Sequence, residues 1–254
     1  MKIALIQAPL YWENPTENRS YFQNIILNLA EKPDLIVLPE MFSTGFTMQP
    51  AAVAETMDGA TVLWMKTVAK SQKCALVGSL VITENDLFFN RLLFVFPDGN
   101  LLFYDKKHLF TLAGEHAAFT AGSSKLVVDY MGFKICPLIC YDLRFPVFSR
   151  NTTDYDVLIY VANWPKTRIN AWNILLKARA IENMSYVLGV NRIGTDDHNL
   201  VYTGHTQAVD FLGENLISPQ ETEGVFVTTL DLKKLNESRQ KLGFLNDKDA
   251  FLML

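Results

Sequence analysis

Short apolar runs alternate along the chain with turn signals and with longer stretches of helical periodicity. Residues 2–8 read as a first buried strand, and Asp34 to Leu38 as a second, ended by Pro39-Glu40. Between them Asn14-Pro15-Thr16-Glu17 is a helix start, with Asn14 as N-cap, Pro15 in the first turn and Glu17 placed to close a capping box. That helix is expected to reach about Lys32 with Tyr21, Ile25 and Leu29 on one face. Strand, helix, strand is a βαβ unit, so the two strands should run parallel.

Asp58-Gly59 opens a second helix to about Gln72, with Val62, Met65, Val68 and Ala69 inside, and Ala75 to Val81 is a third strand. Pro97-Asp98-Gly99-Asn100 is a hairpin turn, and the strand after it, Leu101 to Asp105, delivers Lys106-Lys107-His108-Leu109. A loop from Phe110 to Ser124 leads into a second hairpin, Lys125–Asp129 and Phe133–Ile139. Val157 to Val161 is a strand ending in Asn163-Trp164-Pro165, followed by a helix from about Arg168 to Met184 and a strand at Tyr186–Asn191. Ile193 to Tyr202 reads as a polar, exposed loop. Strands at His205–Asp210 and Val225–Leu230 and a helix near Leu232–Leu242 complete the pattern. With no repeat or Pro/Gly/Ser linker, residues 1–254 are expected to form one α/β domain, a layered sandwich of parallel units and hairpins with helices on both flanks.

Composition narrows the function. A net charge of −4 without any basic run argues against a nucleic-acid surface. No stretch approaches the ~20 apolar residues of a membrane span, and the apolar start is too short for a secretion signal. Three cysteines, an odd number, suit a reducing compartment, so the expected location is the cytoplasm. Cys136 and Cys140 lie on one extended strand, where four residues span ~13 Å, beyond the ~7 Å reach of a disulfide. No metal-ligand spacing accompanies them, so neither a metal nor another cofactor is expected, and Cys74 and Cys136 read as buried fillers.

Cys140 is different, because it ends a buried strand just before the sequence turns polar at Asp142 and Arg144. Glu40 and Lys106 also stand at strand ends, where open α/β sheets gather ligands. A thiol with a free pKa of ~8.5 needs a base or a nearby cation to become a nucleophile. Glu40 can take its proton and later return it to an amine leaving group. Lys106 and the backbone N–H of Tyr141 can then hold the oxygen of a tetrahedral intermediate. Three readings compete with this one: a papain-like pairing of Cys140 with His108, a buried structural cysteine, and a scaffold without activity.

Leu38-Pro39-Glu40, Lys106-Lys107-His108-Leu109 and Cys140-Tyr141-Asp142-Leu143-Arg144-Phe145-Pro146 resemble the motifs of the nitrilase superfamily of carbon–nitrogen hydrolases, over essentially the whole chain. The resemblance implies a four-layer αββα sandwich with two central mixed sheets, commonly a homodimer. It also implies a Glu40–Lys106–Cys140 triad, a thioester intermediate and a further glutamate, for which Glu115 is the candidate. Glu40 to Phe46, Ala162 to Pro165 and Arg179 to Asn183 are most similar to bacterial omega-amidases, which hydrolyse the terminal amide of 2-oxoglutaramate and similar short oxo-acid amides. Nitrile and N-carbamoyl hydrolysis are the alternatives within the superfamily. A carboxylate at the far end of such a substrate needs a guanidinium, and Arg168 is the candidate. Phe46, Phe119 and Trp164 are candidates for the apolar wall. The expected partner is thus a small amide, with no nucleic acid and no membrane.

Overall fold

The computed structural model of the protein describes residues 1–252, so the last two residues of the expected domain lie outside it. Three strands rich in buried aliphatic side chains, β1 (Lys2–Gln7), β2 (Leu35–Val37) and β3 (Ala75–Glu84), run parallel with Ile3 opposite Leu35 and Leu35 opposite Ala75. β4 (Leu87–Val95) returns antiparallel on β3, and β5 (Leu101–Asp105) antiparallel on β4 across the Pro97–Asn100 turn. The opposite edge is closed by the chain's last strand, β14 (Gly224–Thr229), antiparallel to β1.

A second sheet repeats this plan. β6 (Val128–Tyr130) pairs antiparallel with β7 (Phe133–Ile139), which runs parallel to β8 (Val157–Ala162) and, through it, to β9 (Tyr186–Asn191). β12 (Gln207–Val209) and β13 (Asn215–Ile217) extend the far edge antiparallel. β10 (Ile193–Thr195) and β11 (Val201–Thr203) form a separate two-stranded ribbon.

Helices α1 (Pro15–Leu27) and α3 (Ala60–Gln72) cover the first sheet, burying Phe22, Ile26, Val62, Met65 and Val68 against Ala4, Ile6, Ile36 and Leu76. A four-residue turn, α2 (Pro50–Val53), lies between them in the chain. The longest helix, α6 (Ile169–Asn183), covers the second sheet with Trp172, Leu176 and Ala180. Gly189 permits that approach, because a Cβ there would stand 2.5 Å from Leu176 Cδ1 and 2.8 Å from Trp172 Cζ2. Residues opposite Gly189 and two along, Tyr160 and Leu158, share its face. Val157, Ile159 and Val161 therefore point the other way, into the core that joins the two sheets. The result is the αββα sandwich expected from the sequence, with a helix at the end, α7 (Leu232–Leu242), whose Arg239 reaches Asp156 at 2.7 Å.

Two expectations need correction. α1 stops at Leu27 rather than near Lys32, and its buried face is Asn18, Phe22 and Ile26, with Tyr21, Ile25 and Leu29 half-buried beside it. The misplaced face follows from Asn18, a polar residue buried because its amide binds Tyr11 and donates to Ser43 O at 2.7 Å. Residues 193–202 are not a free loop: they fold into the β10–β11 ribbon, and Tyr202 is buried.

Candidate active site

Both sheets end their parallel strands on one side, and the polar residues that follow meet there. Glu40 comes just past β2: Leu38 N still donates to Val77 O at 2.8 Å, and Pro39 then ends the pairing because it has no N–H. The chain turns sharply at Met41, whose φ is 43°, fixed by its N–H donating to Ser79 Oγ at 2.8 Å. The Glu40 side chain is completely buried.

Lys106 follows β5 and is also completely buried, whereas Lys107 alternates outward into solvent. Its ammonium lies 2.9 Å from Glu40 Oε1 and 2.9 Å from both carboxylate oxygens of Glu115. Glu115 opens the short turn α4 (Glu115–Ala118), and its Oε2 accepts the Phe110 N–H at 2.5 Å. Two carboxylates and one ammonium thus share a site in which none of the three side chains is exposed. Burial alone would lower the lysine, but Glu115 and Glu40 outweigh it and hold Lys106 above its ordinary range. Burial likewise pushes Glu115 up, with Lys106 opposing.

Cys140 stands at the end of β7 with φ at 42°, a left-handed conformation that costs a non-glycine residue energy and turns the side chain out of the sheet. The turn is held by Asp142, whose carboxylate accepts from Ile139 N at 3.0 Å, His108 N at 3.0 Å and Tyr104 OH at 2.8 Å. Arg179 of α6 adds a 2.6 Å bond to Leu143 O. Burial pushes the Cys140 thiol well up, and Glu40 adds to this, while Lys106 works against them. The thiol therefore rests protonated.

His108, the other candidate base, is committed elsewhere. Its Nδ1 lies 2.8 Å from Asp142 Oδ1, and its ring stacks on Phe145 with centroids 3.7 Å apart.

Cys140 and Lys106 open into a cavity of about 250 Å³. Of the residues expected to meet substrate, Phe46, Tyr141, Trp164 and Arg168 line it, and Phe46 places its ring 5.1 Å from the Lys106 ammonium. Phe119 does not line it: that ring packs with Met41 and Val81 in a small cluster outside the cavity wall. Arg144 borders the cavity as well. Each guanidinium rests on a ring, Arg144 over Trp164 at 4.9 Å and Arg168 over Phe110 at 5.1 Å. Neither belongs to an ion pair among the described residues.

The sequence reading missed two groups. One is the β10–β11 ribbon, which supplies Asp196, His198, Leu200 and Tyr202 to the cavity wall. Asp196 holds the ribbon's tip by accepting from His198 N, Leu200 N and Tyr202 OH, each at 2.9 Å. The other is a pair of asparagines on Glu40. Asn163 donates its N–H to Glu40 Oε2 at 2.8 Å and its Nδ2 to Glu40 O at 2.7 Å. Asn90 donates to Glu40 Oε1 at 2.8 Å. A buried acid demands donors, but no local pattern says which strand supplies them. Among the described residues no cluster of His, Cys, Asp and Glu is arranged to hold a metal ion, and no helix is long and apolar enough to cross a membrane.

Residues 2–240 match the family described as carbon-nitrogen hydrolase. The chain is 42% identical to the omega-amidase YafV of Yersinia enterocolitica, over 100% of this chain and 99% of that protein. It is 32% identical to the 2-oxoglutaramate amidase of Bacillus subtilis, over 98% of each. The crystal structure of XC1258 from Xanthomonas campestris, a CN-hydrolase superfamily protein with an arsenic adduct in the active site, superimposes with a TM-score of 0.97. It is 41% identical and covers 100% of this chain and 98% of that one.

Proposed function

The chain belongs to the carbon–nitrogen hydrolase family, and from that premise we propose that it hydrolyses the terminal amide of a short omega-amide of a 2-oxo dicarboxylic acid, of the 2-oxoglutaramate type, to a carboxylate and ammonia. One observation carries the reading beyond the family: the cavity that Cys140 and Lys106 open into also holds Arg144 and Arg168, two guanidiniums without an ion-pair partner among the described residues. A small amide with a distal carboxylate suits both ends of such a cavity.

The burial of Glu40 and Lys106 beside Cys140 supports the following chemistry. Glu40 takes the thiol proton as Cys140 Sγ attacks the amide carbon, forming a C–S bond and a tetrahedral oxyanion. The Lys106 ammonium and the Tyr141 backbone N–H stabilise that oxygen. Collapse breaks the C–N bond while Glu40 gives its proton to the departing nitrogen, so ammonia leaves and a thioester remains. Water, deprotonated by Glu40, attacks the thioester; the acid is released and the thiol regains its proton. Glu115 holds the lysine through both carboxylate oxygens, and its role is to fix it.

The same reading extends to a single carbon–nitrogen hydrolase domain over residues 1–254, working in the cytoplasm as a homodimer. Sedimentation of the purified chain tests the last of these. The activity is tested by ammonia release from a panel of short amides and nitriles, with Cys140→Ala as the blank. Turnover restricted to nitriles or N-carbamoyl compounds would replace the omega-amidase reading.

A further inference from the structure

Asn90 lies on β4 and is completely buried, yet it does not border the cavity. Its backbone carbonyl accepts the Lys106 N–H at 3.0 Å. Its Nδ2 donates to Glu40 Oε1 at 2.8 Å and lies 3.4 Å from Glu115 Oε1. One neutral residue therefore touches all three charged residues of the site. Its side chain can face only one way, since exchanging Nδ2 and Oδ1 would set a carbonyl oxygen against two carboxylate oxygens. Facing so leaves Oδ1 buried with no hydrogen-bond partner among the described residues. An orphaned acceptor is unfavourable, so the contact on the carboxylate side must outweigh it.

We propose that Asn90 is a positioning residue that keeps Glu40 and Glu115 ionised side by side, leaving Glu40 free to act as the base. The proposal rests on the reading of Glu40 given above. Two carboxylates facing one ammonium carry one negative charge too many for a fully buried site, and protonating either would relieve it. A second cation would relieve it too, but at the expense of Glu40 as a proton acceptor. A neutral N–H donor placed between the two carboxylates favours the ionised pair with a much smaller loss of basicity. The backbone bond from Lys106 N–H to Asn90 O ties the lysine's main chain to the same residue.

The test uses the purified chain and three variants. Asn90→Ala removes the donor, Asn90→Asp replaces it by a third carboxylate of the same shape, and Asn90→Ser keeps a shorter donor. Ammonia release is followed against pH, together with the rate at which iodoacetamide alkylates Cys140 and the thermal midpoint. In Asn90→Ala and Asn90→Asp the acidic limb of both pH profiles should move up by about one pH unit. The shift should be larger for Asp, with Ser between Ala and the parent. kcat should fall by about tenfold to a hundredfold while KM stays within about twofold, because Asn90 does not border the cavity. Acidic limbs that stay in place in folded variants would reduce Asn90 to a structural residue and overturn the proposal. A parent chain that releases ammonia from no amide would sink the function reading instead, and the alkylation profiles would still decide the case of Asn90.

Discussion

The Lys106 ammonium stands 2.9 Å from Glu40 Oε1, and neither side chain has any surface exposed to water. Such a contact is a poor source of net stability, because desolvating both charges offsets most of their attraction. Breaking it is another matter. Lys106→Met would leave Glu40 and Glu115 facing each other with no cation, a change expected to cost about 3–5 kcal/mol of folding stability. It also removes the cation proposed for the oxyanion, so kcat should fall at least ~10²-fold. Thermal unfolding and ammonia release measured on the same sample check both losses.

The assignment of the base is decided by a pair of variants. Glu40→Gln keeps the shape and most hydrogen bonds but cannot accept a proton, so turnover should fall by roughly 10²–10⁴. His108→Ala removes the ring that faces Asp142 at 2.8 Å and stacks on Phe145, which should lower the thermal midpoint while leaving most of kcat. The reverse pattern would restore the papain-like mechanism.

The two cavity arginines predict a split by substrate. Replacing Arg168 or Arg144 with Met removes charged hydrogen bonds worth about 1.5–3 kcal/mol, so KM should rise roughly tenfold to a hundredfold for amides with a distal carboxylate. Neutral amides of the same length should be little affected. An equal rise for both classes would mean that the guanidiniums only shape the wall.

Burial pushes the Cys136 thiol up to about 12 in the folded chain. Unfolded, it would ionise near ~8.5. Between those values the unfolded chain releases a proton that the folded chain keeps, so stability is retained below the unfolded pKa and lost as pH rises through the folded one. This single thiol should steepen the decline by about 1.4 kcal/mol per pH unit over that window. Urea unfolding from neutral to alkaline pH should accordingly show a shallower decline for Cys136→Ala than for the parent.

Much of this architecture was readable from local pattern. β9 (Tyr186–Asn191) and α7 (Leu232–Leu242) fall where apolar runs and helical periodicity predict them, and Glu40, Lys106 and Cys140 were singled out because each follows a strand. What escaped reading depends on contacts between distant segments. Asn18 is buried because Ser43 O needs a donor, and Asn90 because two glutamates do; hydropathy counts both as surface residues. Phe119 is a candidate for the wall in the sequence, but the turn α4 carries it to the Met41 cluster. The polar string 193–202 gives no periodic signal because Asp196 folds its tip through main-chain N–H groups, a device independent of apolar residues.

That last device separates two jobs within the molecule. The candidate reacting groups Glu40, Lys106 and Cys140 follow strands of the two central sheets, whereas part of the cavity wall hangs on a separate ribbon pinned by one aspartate. Exchanging the ribbon's tip could therefore retune which acyl tails are accepted while the hydrolytic machinery stays intact.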